Sequence, residues 1–310
     1  MRSPGRFRIG HLAPTGTRSA LGNPSPIGAL YALRRKQMKP PKAHSAGSSN
    51  ILQLFRERRT REKLYGAASY WDARARARTG MARSMWPSNA FNDLWDDRQR
   101  AILSRVLGDL SGQTVVDIGC GTGRMTRWLA RDRGPRLVVG VDFSPETVAA
   151  AETESRDLVT AGRVRFSQGD VLSGLDGVGV ESFDVAVVLG CLSVACDKRD
   201  LLDRAFKSVA RLVRSKGRVV VLEPIHRSPL LRRVLDLGIE EWIASANRAG
   251  LGLTAADRMG FVPGRLVLSV RDWPRAILDP CFHAGEWLLD RAPWLAPVSD
   301  YKLLAFERLL

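Results

Sequence analysis

A short hydrophobic strand that runs into a loop of alternating glycines constrains the fold of this chain more than any other feature. Residues 115–123 read VVDIGCGTG, and a helical pattern follows directly. Glycine is used where the backbone must bend sharply or lie against a ligand. In an open α/β sheet, ligands bind beyond the carboxyl ends of the strands, at a first turn of this type. The segment therefore predicts a parallel sheet with a ligand site at the end of its first strand.

From about residue 65 onwards, short apolar runs alternate with helical patterns. The runs are apolar throughout, which is typical of parallel strands that are covered by helices on both faces of a sheet. Ser144, Pro145 and Glu146 predict a helix start, as N-cap, first-turn proline and first-turn acid. The predicted strands are 114–118, 137–141, 164–166, 183–189 and 218–222, and the predicted helical stripes are 97–107, 125–129 and 201–213.

Three acidic residues stand at the ends of the first three predicted strands. Asp117 precedes the glycine loop, Asp142 follows Gly123 by 19 residues, and Asp170 lies just beyond the third strand. The spacing of Asp142 is that of a carboxylate which reaches the hydroxyl groups of a ribose. Because the carboxyl ends of parallel strands share one edge of a sheet, the three acids are expected to form one rim.

Two ligands fit such a loop, a nicotinamide dinucleotide and S-adenosylmethionine. The dinucleotide pattern is GxGxxG, with a pyrophosphate at the helix N-terminus, whereas the glycines here are Gly119, Gly121 and Gly123, in the order GxGxG. The Asp117 carboxylate at the mouth of the loop would repel a pyrophosphate. It suits the positively charged amino and sulfonium groups of S-adenosylmethionine. The residues thus favour the methyl donor.

The segments 117–123 (DIGCGTG) and 141–144 (VDFS) resemble motif I and its successor in the class I S-adenosylmethionine-dependent methyltransferase superfamily, small-molecule type, and the similarity covers about residues 97–225. The resemblance implies that Asp117 and the glycines line the methionine part of the donor and that Asp142 binds the ribose. It implies that Asp170 binds the adenine amine. Leu189 and Gly190 would face the sulfonium. The implied cofactor-binding residues are Asp117, Gly119, Gly121, Gly123, Asp142, Phe143, Asp170, Val171 and Leu189.

The resemblance also implies the fold, an α/β Rossmann-like doubly wound seven-stranded sheet of order 3-2-1-4-5-7-6 with an antiparallel last strand. Residues 230–249 are expected to be helical, and the last two strands are expected at 265–270 and 301–306. A connection over 271–299 would join those strands, longer than is usual in the family. The expected division of the chain is a disordered basic tail at 1–64 and a methyltransferase domain at 65–310. That domain comprises an N-terminal helical lid (65–110), a donor-binding core (111–225) and a substrate side (226–310).

No catalytic residue is assigned, but two candidates follow the fifth predicted strand. His226 would stand above the carboxyl rim of the sheet as a general base, or it is a loop histidine bonded to backbone. Glu223 is the second candidate, or it caps the next helix or pairs with an arginine such as Arg227. Cys191 and Cys196 are expected to be small core residues, because methyl transfer needs no covalent enzyme intermediate.

Two segments rich in aromatic residues are candidates for the acceptor side. The first, 65–95, either packs on the sheet or forms a lid over donor and acceptor. The second, 271–299, could cover a substrate pocket, form a dimer face, rest on a membrane, or supply an amphipathic core helix around Leu288 and Leu289. Their aromatic residues are Tyr65, Tyr70, Trp71, Trp86, Phe91, Trp95, Trp273, Phe282, Trp287 and Trp294.

The net charge of +16 is concentrated in the N-terminal segment. Residues 1–64 hold 14 Lys and Arg against 2 acidic residues, which leaves only +4 for the remainder. The first 56 residues contain no acid and are rich in Gly, Pro and Ser, so disorder is expected. Three interpretations stay open: a transit peptide, a basic arm for nucleic acid or anionic membrane, and an over-extended gene start before Met38 or Met81. The expected location is cytoplasmic, or mitochondrial or plastid if residues 1–50 are a transit peptide.

The function that the sequence predicts is methyl transfer from S-adenosylmethionine to a small-molecule acceptor. The first alternative is an RNA or protein methyltransferase that uses the basic tail. Residues 190–194 (GCLSV) lack the Asn-Pro-Pro-Tyr type of tetrad found in enzymes that methylate base amino groups, which argues against nucleic acid. The second alternative is a catalytically silent S-adenosylmethionine-binding assembly protein. Four cysteines without CxxC spacing predict no metal site, no apolar run is long enough to span a bilayer, and a monomer or homodimer is expected.

Overall fold

The computed structural model describes residues 65–77, 81, 85–180, 182–226 and 234–309. The predicted tail, 1–64, lies outside the described residues, as does Arg227. The described part contains a seven-stranded sheet of order β3-β2-β1-β4-β5-β7-β6. The strands are β1 Thr114–Ile118, β2 Leu137–Asp142, β3 Val164–Gln168, β4 Phe183–Leu189, β5 Val213–Glu223, β6 Leu251–Phe261 and β7 Ser299–Arg308.

The strand directions confirm the predicted fold class. Strands β1 to β5 are parallel to their sheet neighbours, and β7 is antiparallel to both β5 and β6. Parallel strands all end at one edge of a sheet, and an antiparallel strand begins there. The start of β7 therefore lies at the same edge of the sheet as the carboxyl ends of β1 to β5. The three acidic residues were predicted at this edge.

Ten α-helices lie in the described ranges, together with 3-10 turns at Asp176–Val178 and Pro293–Val298. The helices predicted after β1, before β1 and before β5 are confirmed, and Ser144 caps the helix that follows β2 by accepting the N–H of Thr147. The helices are α1 Ala68–Ala77, α2 Asn89–Leu107, α3 Arg124–Asp132, α4 Pro145–Glu154, α5 Arg156–Thr160, α6 Leu192–Ala195, α7 Arg199–Leu212, α8 Ile239–Arg248, α9 Val262–Leu268 and α10 Arg275–Arg291.

The sixth strand is where the sequence prediction is wrong. The strand is Leu251–Phe261, and residues Val262–Leu268 form helix α9 instead. Strand β6 lies at the edge of the sheet, is largely half-buried or exposed, and contains Gly, Ala and Asp, which are depleted in strands. Its long pairing with β7, from Leu251–Arg308 to Phe261–Ser299, makes it a strand. The connection to β7 therefore spans 262–298 rather than 271–299.

The helix expected at 230–249 is shorter than predicted. Helix α8 begins only at Ile239, after Gly238. The side chain of Glu241 accepts the backbone N–H of Gly238 at 2.7 Å, which defines the helix start. Residues 230–233 of the predicted helix lie outside the described residues.

The core lies on both faces of the sheet because alternate residues of each strand face opposite sides. Val116 and Ile118 of β1 pack with α7 and α8, where Phe206 and Trp242 meet at 6.0 Å between ring centroids. Val115, from the same strand, packs with α2, α3 and α10 on the other face. Burying a large apolar side chain stabilises the fold by about 1.5–3 kcal/mol. The helices packed on both faces of the sheet thus fix the positions of the strand ends.

Candidate functional site

The glycine loop turns sharply between β1 and α3. Gly119, Gly121 and Gly123 have φ angles of +72°, +56° and +76°, a region that side chains with a Cβ disfavour. A Cβ on Gly119 would stand 2.5 Å from Cβ of Cys191, which belongs to the turn after β4. The loop therefore needs glycine for its backbone angles and, at Gly119, also for space.

Asp142 is tied to the loop by hydrogen bonds. Its Oδ2 accepts the backbone N–H of Gly121 at 3.0 Å, and its Oδ1 accepts that of Ser144 at 3.0 Å. The backbone carbonyl of Asp142 accepts the N–H of Gly169, after β3, at 2.9 Å. Burial raises the pKa of Asp142, while the two N–H donors work against this. The end of β2 thus holds the loops after β1 and β3 in register.

The carboxylate of Asp117 lies beneath the loop rather than at an open mouth. It is 1% exposed, and its Oδ2 accepts the hydroxyl of Thr126, on α3, at 2.6 Å. Burial, with a further contribution from the charge of Asp142, raises the pKa of Asp117 to about 6. A cation above the loop would favour the ionised carboxylate.

The other predicted donor residues lie along the same edge of the sheet. Asp170 accepts the N–H of Leu172 at 3.0 Å and the hydroxyl of Ser173 at 3.2 Å, which orders the turn after β3. Val171 in that turn is buried, and Phe143 and Leu189 are half-buried. The structure thus brings the strand-end acids and the glycine loop to one rim, as the spacing predicts.

Glu223 is bound to the turn after β4. Its Oε1 accepts the backbone N–H groups of Cys191 and Leu192 at 2.7 and 2.8 Å, and its Oε2 accepts that of Ser193 at 3.2 Å. It therefore caps α6, which follows β4, and not the next helix along the chain. Burial raises the pKa of Glu223 to about 7. These three hydrogen bonds make Glu223 a support of the turn after β4, and its role as a base stays a prediction.

His226 contacts a residue that the sequence analysis does not single out. Its Nε2 lies 3.1 Å from Oδ1 of Asp300, at the start of β7. The other oxygen of Asp300 is bound by Nε of Arg265, on α9, at 2.6 Å. The expectation of a loop histidine bonded to backbone therefore does not describe this contact, which joins two side chains.

Comparisons with known proteins agree with this geometry. A family model described as a methyltransferase domain matches residues 115–217, from β1 into β5. A demethylmenaquinone methyltransferase of Lactococcus lactis subsp. lactis is 30% identical over 148 residues, which cover 47% of this chain and 54% of that protein. Residues 115–217 thus match a methyltransferase domain, and the strand order of the described sheet is that of the class I S-adenosylmethionine-dependent methyltransferase fold.

Two further similarities cover more of the chain. O-methyltransferase cnsE of Penicillium expansum is 28% identical over 245 residues, or 69% of this chain and 83% of that protein. The solved structure of geranyl diphosphate C-methyltransferase from Streptomyces coelicolor A3(2) matches 70% of this chain and 80% of its own, with 16% identity and a TM-score of 0.51. At that identity the structural likeness shows the fold. The chain spans about half the length of the Lactococcus relative.

The first described segment of the chain lies against the end of β2. The hydroxyl of Ser144, directly after β2, donates to Oδ1 of Asp72 on α1 at 2.6 Å. The exposed pair Arg76–Glu146, at 3.1 Å, also joins α1 to α4. No residue of α1 is buried. A helix held mainly by polar contacts over the end of β2 is consistent with the predicted lid, which stays a prediction.

The aromatic residues of 65–95 form two separate groups. Tyr65, Tyr70 and Trp71 contact one another on and before α1. Trp86, just before α2, forms a second group with Phe91 and Trp95 on α2, and this group extends to Tyr301 on β7 and Phe282 on α10. We call the second group the aromatic wall: Trp86, Phe91, Trp95, Phe282 and Tyr301. Of the two aromatic groups, the aromatic wall is the one that contacts the sheet.

The aromatic wall reaches the predicted methyl-transfer point and a small pocket. Oη of Tyr301 lies 3.4 Å from where a Cβ on Gly190, at the end of β4, would stand. Behind the wall is a small, partly open pocket between the wall, α9 and α10. It is lined by Phe91, Trp95, Phe261, Gly264, Arg265, Leu268, Cys281, Phe282 and Gly285. Its lining is apolar except for the guanidinium of Arg265.

Helix α10 anchors the connection between β6 and β7. Glu286 accepts the N–H groups of Gly260 and Phe261 at 2.9 and 3.1 Å, and binds Nε of Arg98, on α2, at 2.8 Å. Leu289 is buried, as a core helix requires, but Leu288 is exposed. The connection thus covers a pocket and packs as a core helix. Its exposed apolar residues include Ile277, Trp287 and Trp294, and the dimer and membrane interpretations stay predictions.

The described residues carry neither a metal-binding cluster nor a membrane-spanning helix. Among those residues, no group of three or more His, Cys, Asp or Glu is arranged to hold a metal ion. No helix described here is long and apolar enough to cross a membrane. All four cysteines are free, and burial raises the pKa values of the Cys120 and Cys191 thiols. Neutral buried thiols agree with the expectation of core residues rather than nucleophiles.

Sequence reasoning misses Arg265, Glu286, Asp300 and Tyr301. Asp300 and Tyr301 lie at the start of an antiparallel strand, so they reach the functional edge although they follow the last predicted motif by many residues. A charged residue at the start of such a strand is a usable signal. Arg265 and Glu286 carry no such signal, because their burial depends on how α9 and α10 pack.

Proposed function

We propose that this protein transfers the methyl group of S-adenosylmethionine to a small acceptor with an apolar or aromatic body. The observation that carries the proposal is the aromatic wall beside Gly190. By family resemblance, the end of β4 faces the sulfonium, so the group that overhangs Gly190 contacts the acceptor. That group here is the phenol of Tyr301, backed by Trp95 at 5.4 Å between ring centroids. An apolar acceptor is favoured by such a wall, since aromatic side chains bury large apolar areas.

The donor would occupy the rim between the ends of β1 and β3. In this proposal Asp142 accepts the ribose hydroxyls with lone pairs that its two backbone donors leave available. Asp170, with Val171, recognises the adenine, and Phe143 and Leu189 line the apolar sides of the nucleoside. The glycine loop and the buried carboxylate of Asp117 carry the methionine part, whose ammonium and sulfonium are cationic. The donor supplies an electrophilic methyl group, and the protein positions it.

The size of the pocket limits the acceptor. The space between the lining side chains holds about one water molecule, far less than the roughly 300–1,000 Å³ that hold drug-sized ligands. In this proposal even an acceptor with a single ring or a short chain enters only after α9 or α10 moves. The names of the similar proteins, a demethylmenaquinone methyltransferase and an O-methyltransferase, support a small-molecule acceptor over RNA or protein.

The test combines donor binding with a product search. S-adenosylhomocysteine is titrated into the full chain by calorimetry, and trideuteromethyl-labelled S-adenosylmethionine is then supplied with separate acceptor pools. The pools are small phenols and alcohols (1-naphthol among them), small amines, total RNA and a peptide mixture. Labelled product in a small-molecule pool is expected. Label in RNA or peptide favours the tail-dependent alternative, and donor binding without product in any pool favours the silent assembly protein.

A further inference from the structure

Helix α10 is apolar on both of its sides. Leu278, Phe282 and Leu289 pack its inner side into the core. A helix that covers a core ordinarily carries polar and charged residues on the opposite side. Successive residues stand about 100° apart around an α-helix, so seven uncharged residues of α10 share the side that points away from the core. All seven are exposed, and we call them the outer face: Ala276, Ile277, Pro280, Cys281, Ala284, Trp287 and Leu288.

The outer face and the turn after it expose large apolar side chains. Trp287 is 56% exposed and Ile277 is 47% exposed. Trp294, in the 3-10 turn that follows α10, is 78% exposed. Each of these side chains would gain free energy by leaving water. An exposed apolar patch marks a surface that contacts another protein or a membrane.

Two arginines stand near the ends of the outer face, each beside a tryptophan. The guanidinium carbon of Arg291 lies 5.5 Å from the ring centroid of Trp287, and that of Arg271 lies 3.9 Å from the ring centroid of Trp273. Both arginines are exposed, and within the part of the chain that the structure describes neither pairs with a carboxylate. At a membrane surface, tryptophan rings sit at the level of the headgroups and long cationic side chains reach towards water.

The carboxylates beside the outer face already have partners. Asp279 and Asp290 each pair with an arginine. Asp272 accepts the hydroxyl of the buried Ser88, which directs it towards the domain. The cations near the ends of the face therefore suit a partner with negative charge. A second copy docked through the same face would have to meet them with its own residues, and the described carboxylates there are already engaged.

We propose that the outer face of α10, together with Trp294 and the two arginines, docks on a lipid surface with anionic headgroups. The apolar side chains would enter the boundary between headgroups and acyl chains, as an amphipathic helix does when it lies in the plane of a membrane. The guanidinium groups of Arg271 and Arg291 would bind lipid phosphates. This inference goes beyond methyl transfer, and vesicle binding tests it without turnover.

The pocket behind the aromatic wall opens beside the same face. Cys281 is exposed on the outer face and also lines the pocket. On α9, Gly264 lines the pocket, and the exposed Val267 follows it by about one helical turn. A lipid surface at this place would hold apolar molecules next to the pocket, whereas a second copy would cover it. This one supporting point rests on the proposed function, and the charges and exposure of the face do not.

The first test measures binding of the full chain to vesicles by sedimentation. The vesicles contain phosphatidylcholine and phosphatidylglycerol in equal parts. Leu288→Gln should weaken binding by about tenfold, because a buried leucine contributes at least one such factor. Val159→Gln is the matched control, since Val159 is 38% exposed against 39% for Leu288. It lies on α5, which packs on β3 at the other edge of the sheet from β6.

The second test separates the arginines from the apolar side chains. Arg291→Gln should weaken binding to the mixed vesicles about fivefold, the contribution of one arginine near an anionic surface. It should change binding to vesicles of phosphatidylcholine alone very little. Arg204→Gln, at an exposed position of α7 on the opposite face of the sheet, is the control. The basic segment 1–64 is present in every variant, and high salt screens its contribution.

The third test shows which side chains enter the lipid. The chain has eight tryptophans, and vesicles with bromine on their acyl chains quench the emission of those that enter. Quenching is expected in the wild type and should fall in Trp287→Phe and again in Trp287→Phe/Trp294→Phe. Trp71→Phe, on α1, should leave the quenching unchanged.

The outcomes separate this inference from the proposed function. Equal binding by the wild type and Leu288→Gln at high salt, with no quenching, overturns the docking surface and leaves methyl transfer standing. A dimer in solution that Leu288→Gln separates, without vesicle binding, assigns the face to a second copy and also overturns it. If no acceptor pool receives a methyl group, the proposed function fails, while binding and quenching that depend on the outer face still support docking.

Discussion

The carboxylate of Asp142 accepts a hydrogen bond from the backbone N–H of Gly121 at 3.0 Å, which ties the end of β2 to the middle of the glycine loop. The second oxygen is held by Ser144, so the carboxylate has one orientation. We expect this orientation to be the one that binds the ribose. Replacing Asp142 therefore tests both the donor-binding role and the order of the loop.

Asp142→Ala should weaken donor binding and leave the fold in place. Charge-assisted hydrogen bonds contribute about 1.5–3 kcal/mol each, so roughly ten- to over a hundredfold weaker binding is expected. Calorimetry with S-adenosylhomocysteine measures it. Asp97→Ala, which removes an exposed acid of α2, is the control and should bind normally. Unchanged affinity in Asp142→Ala would refute the assignment of Asp142 to the donor.

Asp117 should make the donor-free protein less stable as the pH rises. Its pKa is raised from 3.8 to about 6 because burial penalises the charged carboxylate. The folded state therefore holds a proton that the unfolded state releases, and the stabilisation, full below pH 3.8, is lost as the pH rises through 6. The whole effect is about 3 kcal/mol.

Asp117→Asn removes that titration but can still accept the hydroxyl of Thr126. Melting curves between pH 4 and pH 8 should show the variant less stable than, or equal to, the wild type at the acid end. At pH 8 the stability of Asp117→Asn relative to the wild type should be clearly higher than at pH 4. The Asp97→Asn variant controls for loss of a negative charge. Parallel curves for the wild type and Asp117→Asn would contradict the buried, proton-binding state of Asp117.

Gly119→Ala should cost more stability than an alanine at another glycine with a similar φ. A Cβ there would stand 2.5 Å from Cβ and 2.6 Å from Sγ of Cys191. Gly162 has a φ of +69° with no atom within 4 Å, so Gly162→Ala reports the backbone cost alone, about 1–2 kcal/mol. Denaturant unfolding compares the two, and S-adenosylhomocysteine binding should weaken only for Gly119→Ala. Equal losses would mean that the turn after β4 does not crowd the loop.

Glu286→Ala should loosen the connection between β6 and β7. The variant leaves two backbone N–H groups without their acceptor, which costs about 1–3 kcal/mol for each buried donor, and leaves Arg98 with Asp290 as its remaining partner. Because α10 depends on these contacts, limited proteolysis should cut within 262–298 sooner than in the wild type. Glu240→Ala, an exposed acid at the start of α8, is the matched control. An unchanged cleavage pattern would show that α10 is anchored by its apolar face alone.

A shortened protein that starts at Lys63 should bind the donor as the full chain does. The removed residues contain no acid before Glu57 and have no apolar periodicity, so they gain little by burial. The melting temperature should stay within about two degrees of the full chain, and S-adenosylhomocysteine affinity should be equal. A drop of several degrees would show that the tail docks on the domain, and a loss of RNA methylation alone would support the nucleic-acid alternative.

The donor side of this protein could be predicted from the sequence because its determinants are local. The alternation of Gly119, Gly121 and Gly123 after an apolar run dictates a turn. The parallel sheet then places Asp142 and Asp170 at the same edge, whatever the rest of the chain does. Strands β1 and β4 were equally predictable, with bounds equal to those predicted, since buried parallel strands are apolar along their whole length.

The acceptor side was decided by tertiary structure. Strand β6 carries a weak local pattern and becomes a strand through its pairing with β7, while 265–270 has a strand-like pattern and packs as part of a helix. That pairing directs Asp300 to His226, and the packing of α9 buries Arg265 beside them. These three residues are far apart in the chain, so their contacts depend on which helix surfaces pack against the sheet. The physical reason is that a buried charge gains its partner from packing, and no local pattern of residues encodes that partner.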